Sequence, residues 1–206
     1  MTEGDSKLVN FGEMIQKLSN RQYFDCPYIF PNGNDSFVDV GCFDGKTSID
    51  FVNWSKGKYN KIYALEPDNN CYRKCLESLS EYNNVSVIEL GAWNKKETLH
   101  FEASSDSMSS ISNQGCTTIC VDRLDIILKN EQVSFMKMDI EGAEYEALEG
   151  AKGIIQSQKP CLAISVYHKP EDIWKLTNFI LEINPEYRFC LRNYTFYSNE
   201  TVLYAI

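Results

Sequence analysis

The chain alternates between two hydrophobic patterns. Short apolar runs at 36–41, 61–65, 85–90, 134–138 and 161–166 have little polar interruption, as strands covered on both faces do. Between them, apolar residues recur at helical spacing over 47–55, 69–81 and 143–157. They do so again after Pro170, where Ile173, Leu176, Phe179 and Ile180 share one face. This alternation predicts a parallel sheet with helices packed against it. Other stretches depart from it. Leu8, Phe11, Met14, Ile15 and Leu18 predict an amphipathic helix over 6–20. Residues 20–34 are irregular, broken by Pro27, Pro31 and Asn32-Gly33, and their aromatics (Tyr23, Phe24, Tyr28, Phe30) are expected to pack on the sheet rather than fold over a ligand. Residues 98–101 and 117–121 alternate like an antiparallel pair around the serine-rich segment 104–112, which is either a lid or a plain solvated loop. A short helix at 123–130 and a closing hairpin of 187–192 and 201–206 complete the chain. The division expected is a lead-in over 1–34 and one domain over 35–206, a size that suits a single α/β unit.

Parallel sheets bind ligands at the C-terminal ends of their strands, and here those ends carry the chemistry. The first ends in Asp39-Val-Gly41-Cys-Phe43-Asp44-Gly45-Lys-Thr47. Gly41 and Gly45 permit backbone angles and a close approach that a Cβ would block, and Thr47 is a good N-cap for the helix that follows. The spacing is neither the dinucleotide G-x-G-x-x-G nor a Walker loop. Asp39 and Asp44 flank the turn, which suits a ligand with a cationic group and hydroxyls better than a pyrophosphate. S-adenosylmethionine has a sulfonium, an ammonium and a ribose diol. The second strand ends in Glu66-Pro67-Asp68, where two glutamate oxygens can accept both ribose hydroxyls, while Asp68 suits the N-cap of the next helix. Gly91 and Ala92 end the third strand and leave room for a flat ring, with Trp93 beside them. Asp139 and Glu141 end the fourth, and Tyr167-His168 the fifth.

Charge and composition narrow the partners. A net charge of −9 argues against nucleic acid or an anionic membrane, whose contacts rest on Lys and Arg. No apolar run is long enough for a membrane span and the N-terminus lacks a signal-peptide pattern, so a cytoplasmic protein is expected. Cys26, Cys42, Cys71, Cys75, Cys116, Cys120, Cys161 and Cys190 form no C-x-x-C and read as reduced, mostly buried thiols. A zinc site from Cys71/Cys75 and Cys116/Cys120 is the weaker reading, and no metal is expected.

With these residues in place, the sequence resembles the FkbM-like methyltransferases, a branch of the class I S-adenosylmethionine-dependent fold. The resemblance rests on FVDVGCFDGKTSIDF, IYALEPD, MKMDIEGAEYEALEGA, KPCLAISVYHKPEDIWKL and ETVLYAI, in order over about 22–206. It implies a Rossmann-like seven-stranded sheet, mostly parallel with the last strand antiparallel. It also implies methyl transfer to a hydroxyl, often of a sugar, glycan or natural product. Asp39 and Gly41 would contact the amino-acid part of the cofactor, Glu66 the ribose, and Asp139 and Glu141 would line the methyl-transfer region. Phe43, Asp44, Gly45, Thr47, Pro67, Gly91 and Ala92 complete the expected cofactor set. His168 matches a histidine of the family pattern. Cys42 stands where a small residue is common. With only about 35 residues before the first strand, a larger substrate-binding cap is not expected.

An alcohol is a poor nucleophile while protonated, so a general base is expected, and His168 is the candidate, with Asp139 orienting it or the substrate. A variant places a divalent metal on Asp139 and Glu141 to acidify the hydroxyl. The rival classes are a nicotinamide-dependent oxidoreductase, disfavoured by the missing G-x-G-x-x-G, and a cofactor-binding module without catalysis.

Overall fold

The computed structural model describes residues 22–102, 110–111, 117–195 and 199–206. The helix expected over 6–20, Cys116 and most of the serine-rich segment lie outside the described residues. Seven strands form the central sheet: β1 (Ser36–Val40), β2 (Lys61–Leu65), β3 (Val85–Ile88), β8 (Phe135–Met138), β9 (Cys161–Ser165), β10 (Phe189–Asn193) and β11 (Thr201–Ala205). Their order is β10-β11-β9-β8-β1-β2-β3, and every neighbour pair is parallel except those made by β11. The last strand is antiparallel, as the resemblance implied. The chain winds outward from β1 to β3 and then returns to β8 on the other side of β1. The strand ends at that switch point are where a ligand can enter.

Between β3 and β8 the chain builds a second, four-stranded sheet, β4-β7-β5-β6, from β4 (Gly91–Ala92), β5 (Glu97–Glu102), β6 (Ser110–Ile111) and β7 (Thr117–Asp122). The expected antiparallel pair is β5 with β7, in register Leu99↔Ile119. One expectation is corrected here. The third strand does not run to Leu90. It stops at Ile88, and a tight turn (Leu90 N–H to the Ile88 carbonyl, 2.9 Å) sends Gly91-Ala92 into the second sheet. Gly91 allows that switch because a Cβ there would meet Val121 at 3.0 Å.

The helices also sharpen the expectations. α1 (Lys46–Trp54) packs on β1 and α2 (Asn69–Leu79) on β3, and Asp68 caps α2 by accepting from the backbone of Asn70 and Cys71. The short helix is α3 (Leu124–Ile127). The helix expected over 143–157 is broken into α4 (Glu144–Gly150) and α5 (Lys152–Gln158). Gly150 packs so closely that a Cβ would lie 1.9 Å from the Trp93 carbonyl. In α6 (Asp172–Ile183) the buried face is Asp172, Leu176, Ile180 and Ile183. Ile173 is exposed, and Pro170 lies in the turn before the helix and not in its first turn.

Two apolar layers hold the sheet. One face packs Val38, Val40, Met136, Met138 and Ile164 against Leu148, Ile155, Leu176 and Ile180. The other is aromatic. Phe37 stacks on Phe51 at 4.4 Å, and Phe24 meets Phe37, Trp54 and Phe135 at 5.7–5.8 Å. Such ring pairs each add about 0.5–1.5 kcal/mol beyond burial. The lead-in therefore packs on the sheet, with Tyr23, Phe24, Cys26 and Ile29 buried, whereas Tyr28 and Phe30 are exposed. Among the described residues no helix is long and apolar enough to cross a membrane.

Candidate active site

A cleft of about 930 Å³ opens along the C-terminal ends of β1, β2 and β8 and is walled on one side by Ile119 and Val121 of the second sheet. Its floor at one end is the β1–α1 turn. Gly41 (φ +78) leaves a left-handed turn in which a Cβ would sit 2.2 Å from the Asp139 carbonyl, so only glycine lets β1 and β8 close together there. The N–H groups of Gly41 and Cys42 both donate to the Leu65 carbonyl at 3.0 Å, pinning the turn to β2. Phe43, also left-handed (φ 51), donates its N–H to Glu66 Oε2 at 3.0 Å, and Asp68 N–H donates to Oε1 at 3.0 Å. Those bonds hold the Glu66 carboxyl flat against the turn, with acceptor capacity left on both oxygens. Burial pushes its pKa up to about 7.

Beneath the turn lies an ion pair. Asp39 is fully buried and does not reach the cleft. Its Oδ2 accepts from the Ser48 hydroxyl at 2.8 Å and its Oδ1 lies 3.1 Å from Lys137 Nζ. Lys137 in turn donates to the Gly41 carbonyl at 2.7 Å. Burial alone would lower the Lys137 pKa, but the Asp39 and Asp139 charges outweigh it and keep the ammonium charged. The pair braces the turn from below. The expectation that Asp39 contacts the cofactor is thus corrected, since its carboxylate is spent on Ser48 and Lys137. Gly45 is corrected likewise. It is the left-handed N-cap of α1, where an added Cβ would lie 3.2–3.4 Å from α2 side chains, and it does not line the cleft. Thr47 lines the cleft but is not the N-cap.

At the other end, three groups from two distant parts of the chain meet on Asp139. Tyr23 donates its hydroxyl to Oδ2 at 2.8 Å and Tyr167 donates to Oδ1 at 3.2 Å. His168 Nε2 is 3.5 Å from Oδ1 and 3.4 Å from Glu141 Oε2, while Nδ1 lies 3.0 Å from Glu144 Oε1. Burial raises the Tyr23 and Tyr167 pKa values further above the usual tyrosine range, so both remain donors. Burial would lower the His168 pKa, yet Glu144, Asp139 and Glu141 together raise it above the ordinary histidine value. Glu141 is held left-handed (φ 56) ahead of Gly142, and burial also raises its pKa. Backbone strain is often stored at such positions.

Of the expected site residues, the cleft brings together Gly41, Phe43, Asp44, Thr47, Glu66, Pro67, Gly91, Ala92, Asp139 and Glu141. His168 stands behind Asp139 and Glu141, not on the cleft surface. Lys137, Tyr23, Glu144 and Glu200 were missed. Lys137 left a signal, a lone lysine inside an apolar strand. Glu144 sits within DIEGAE. Tyr23 and Glu200 left none, because only the fold carries them to the cleft. The cysteines are dispersed among the described residues, free, with Cys42 and Cys75 buried side by side.

The model of the Methyltransferase FkbM domain matches residues 39–194. Among solved structures, the chain superposes on Methyltransferase FkbM from Methylobacillus flagellatus with 30% identity and a TM-score of 0.77, over 91% of this chain and 47% of that one. It therefore spans about half the length of that relative. An rRNA methylase from Streptococcus thermophilus is 14% identical with a TM-score of 0.54, over 95% and 93% of the two chains. Fibrillarin from Aeropyrum pernix, in complex with natively bound S-adenosyl-L-methionine, is 12% identical with a TM-score of 0.54, over 92% and 74%. At those identities the likeness is one of fold. No curated protein sequence matches the chain.

Proposed function

The chain belongs to the FkbM methyltransferase family, and from that premise we propose that it is an S-adenosylmethionine-dependent O-methyltransferase acting on a hydroxyl of a sugar, glycan or natural product. The observation that carries this reading is one continuous cleft with the buried Glu66 carboxyl at one end and the Asp139–Glu141 pair at the other. The residues fit the cofactor. Glu66 keeps free acceptor capacity for a ribose diol, and the glycine turn at Gly41 has no Cβ to obstruct the ligand. Acidic walls suit a ligand with a sulfonium and an ammonium. When bound, S-adenosylmethionine supplies an electrophilic methyl group.

The chain's own residues have three tasks. Glu66 and the Gly41 turn fix the ligand's position, so that methyl carbon and acceptor oxygen can align. Tyr23 and Tyr167 hold Asp139 in place by donating to it. Asp139 and Glu141 face the acceptor and draw off its proton, with His168 behind them. Their negative carboxylates favour a neutral or cationic acceptor over a phosphorylated one, and the net charge of −9 speaks against nucleic acid as acceptor.

The test is calorimetric titration with S-adenosylmethionine, S-adenosylhomocysteine and NAD, beside a Glu66→Ala variant. Saturable binding of the first two, lost in the variant, is expected, followed by methyl transfer to members of a glycan and natural-product panel. Binding of NAD alone would overturn this reading in favour of the oxidoreductase class.

A further inference from the structure

We propose that Nε2 of His168, Oδ1 of Asp139 and Oε2 of Glu141 hold a divalent cation at the acceptor end of the cleft. This deepens the methyl-transfer reading and rests on it. Nε2 lies 3.5 Å from the Asp139 oxygen and 3.4 Å from the Glu141 oxygen. Those separations exceed the roughly 2.7–3.2 Å of an N–H···O hydrogen bond. They match the spacing, about 3.3–3.5 Å, of two donors that each bind an ion at about 2.0–2.2 Å in a near-tetrahedral array.

An independent observation points the same way. The His168 side chain is 8% exposed, and neither of its ring nitrogens makes a hydrogen bond of acceptable geometry among the described residues. A buried imidazole nitrogen left so is unfavourable unless something else takes its lone pair. The other edge of the ring faces a buried carboxylate. Nδ1 is 3.0 Å from Glu144 Oε1, and Glu144, whose side chain is 1% exposed, is anchored by accepting from the Ile140 N–H at 3.0 Å. A carboxylate behind a ligating histidine fixes its tautomer and raises its basicity.

Asp139, Glu144 and His168 also lie close enough to be grouped as one ligand set. The two nitrogens of an imidazole point away from each other, however, so one ion cannot take both edges. Glu144 is therefore the outer partner and Glu141 the ligand. Two carboxylate oxygens and one imidazole nitrogen suit Mn²⁺, and also Fe²⁺ or Zn²⁺, more than Ca²⁺ or Mg²⁺. Asp139 and Glu141 line the cleft, so the remaining positions face the acceptor. A hydroxyl bound there would be acidified by the ion. His168 is then a ligand, not the proton acceptor that the sequence pointed to.

The test uses the full chain, stripped with a chelator, dialysed and titrated with MnCl₂ by calorimetry, with the Mn²⁺ electron paramagnetic resonance signal as a second readout. One saturable site per chain is expected. His168→Gln and Glu141→Gln should each weaken it at least about tenfold, and Glu144→Gln by about 10–100-fold. Thermal melts establish that each variant is folded. Should His168→Gln unfold, the half-exposed Glu141→Gln decides. No saturable site, or equal affinity in folded Glu141→Gln and wild type, overturns the proposal. S-adenosylhomocysteine titrated into the same preparations separates the two readings. If it binds and Mn²⁺ does not, the ion site alone is wrong. If Mn²⁺ binds and it does not, the ion site stands and the methyl-transfer reading falls.

Discussion

The two ends of the cleft are built differently. The end at Gly41 and Glu66 is local: a strand, a turn and a helix in succession, pinned to the next strand by backbone bonds and braced by the Asp39–Lys137 pair. Its one exposed task falls to a carboxyl that is already held by two backbone N–H groups. The end at Asp139 is assembled from afar. Tyr23 reaches it across 116 residues of sequence and Tyr167 across 28, and three carboxylates surround one imidazole. The first arrangement fixes a ligand's position. The second gathers charge where a proton has to leave. If this division is real, substitutions at one end should leave the other end's observable unchanged.

The largest expected effect is on turnover. His168→Gln disables the end of the cleft where the acceptor's proton leaves and should lower methyl transfer to any acceptor the panel identifies by about 10²–10⁴-fold, with S-adenosylhomocysteine affinity unchanged. A parallel loss of both in calorimetry and single-turnover assays would erase the distinction between the two ends. Next is the brace. Asp39→Ala leaves the Lys137 ammonium buried without its partner, and breaking a buried pair from one side costs about 3–5 kcal/mol. A fall of that size in chemical denaturation is expected. A loss under about 1 kcal/mol would mean that the pair does not brace the turn.

A smaller effect tests the ribose hook. Burial raises the Glu66 pKa to about 7, and the carboxylate is the form that accepts ribose hydroxyls. Below about pH 7 the free protein carries a proton there that binding must expel. Affinity for S-adenosylhomocysteine should therefore be flat above pH 8 and fall by up to about tenfold per unit below 6, with Glu66→Gln removing the dependence. The sign for stability is the reverse. A carboxyl whose folded pKa is raised contributes stability that is present below its unfolded pKa, near 4.5, and is lost as pH rises through about 7. Calorimetry from pH 5.5 to 8.5 checks the first statement and melts over a wider range check the second.

The same contrast explains what the sequence made legible. Elements with strong local signals were readable: the apolar runs of β1, β2, β8 and β9, the Asp68 cap of α2 and the β5–β7 pair. The Gly41 turn and Glu66 were readable as a ligand site because their chemistry lies at consecutive strand ends. Where tertiary packing decides, the reading failed. The third strand stopped short at Ile88 and Gly91, having no Cβ, paired closely with Val121 in the second sheet, and Gly150 ended a helix against the Trp93 carbonyl. Asp39 looked like a ligand contact by position beside the turn, but it belongs to the buried strand β1, and Lys137, a lone lysine in apolar β8 and its direct cross-strand neighbour, was the clue that it has a buried partner. Tyr23 could be placed near the site by no local rule, since only the docking of Phe24 on Phe37 and Phe135 carries it there.

The smallest effect separates two neighbours in α1. Thr47 has the chemistry of an N-cap and Ser48 does not stand out. In the structure Gly45 takes the cap position with a left-handed backbone, so the Thr47 hydroxyl lines the cleft, whereas the buried Ser48 hydroxyl donates to Asp39 at 2.8 Å. Hydrogen bonds to charged groups contribute about 1.5–3 kcal/mol; a surface hydroxyl outside such a bond contributes within about 0.5 kcal/mol. Ser48→Ala should accordingly lower stability by about 1.5–3 kcal/mol and Thr47→Ala by less than about 0.5. The reverse order in urea denaturation would show that α1 begins on Thr47, and that the glycine turn is set by the helix cap and not by the ion pair beneath it.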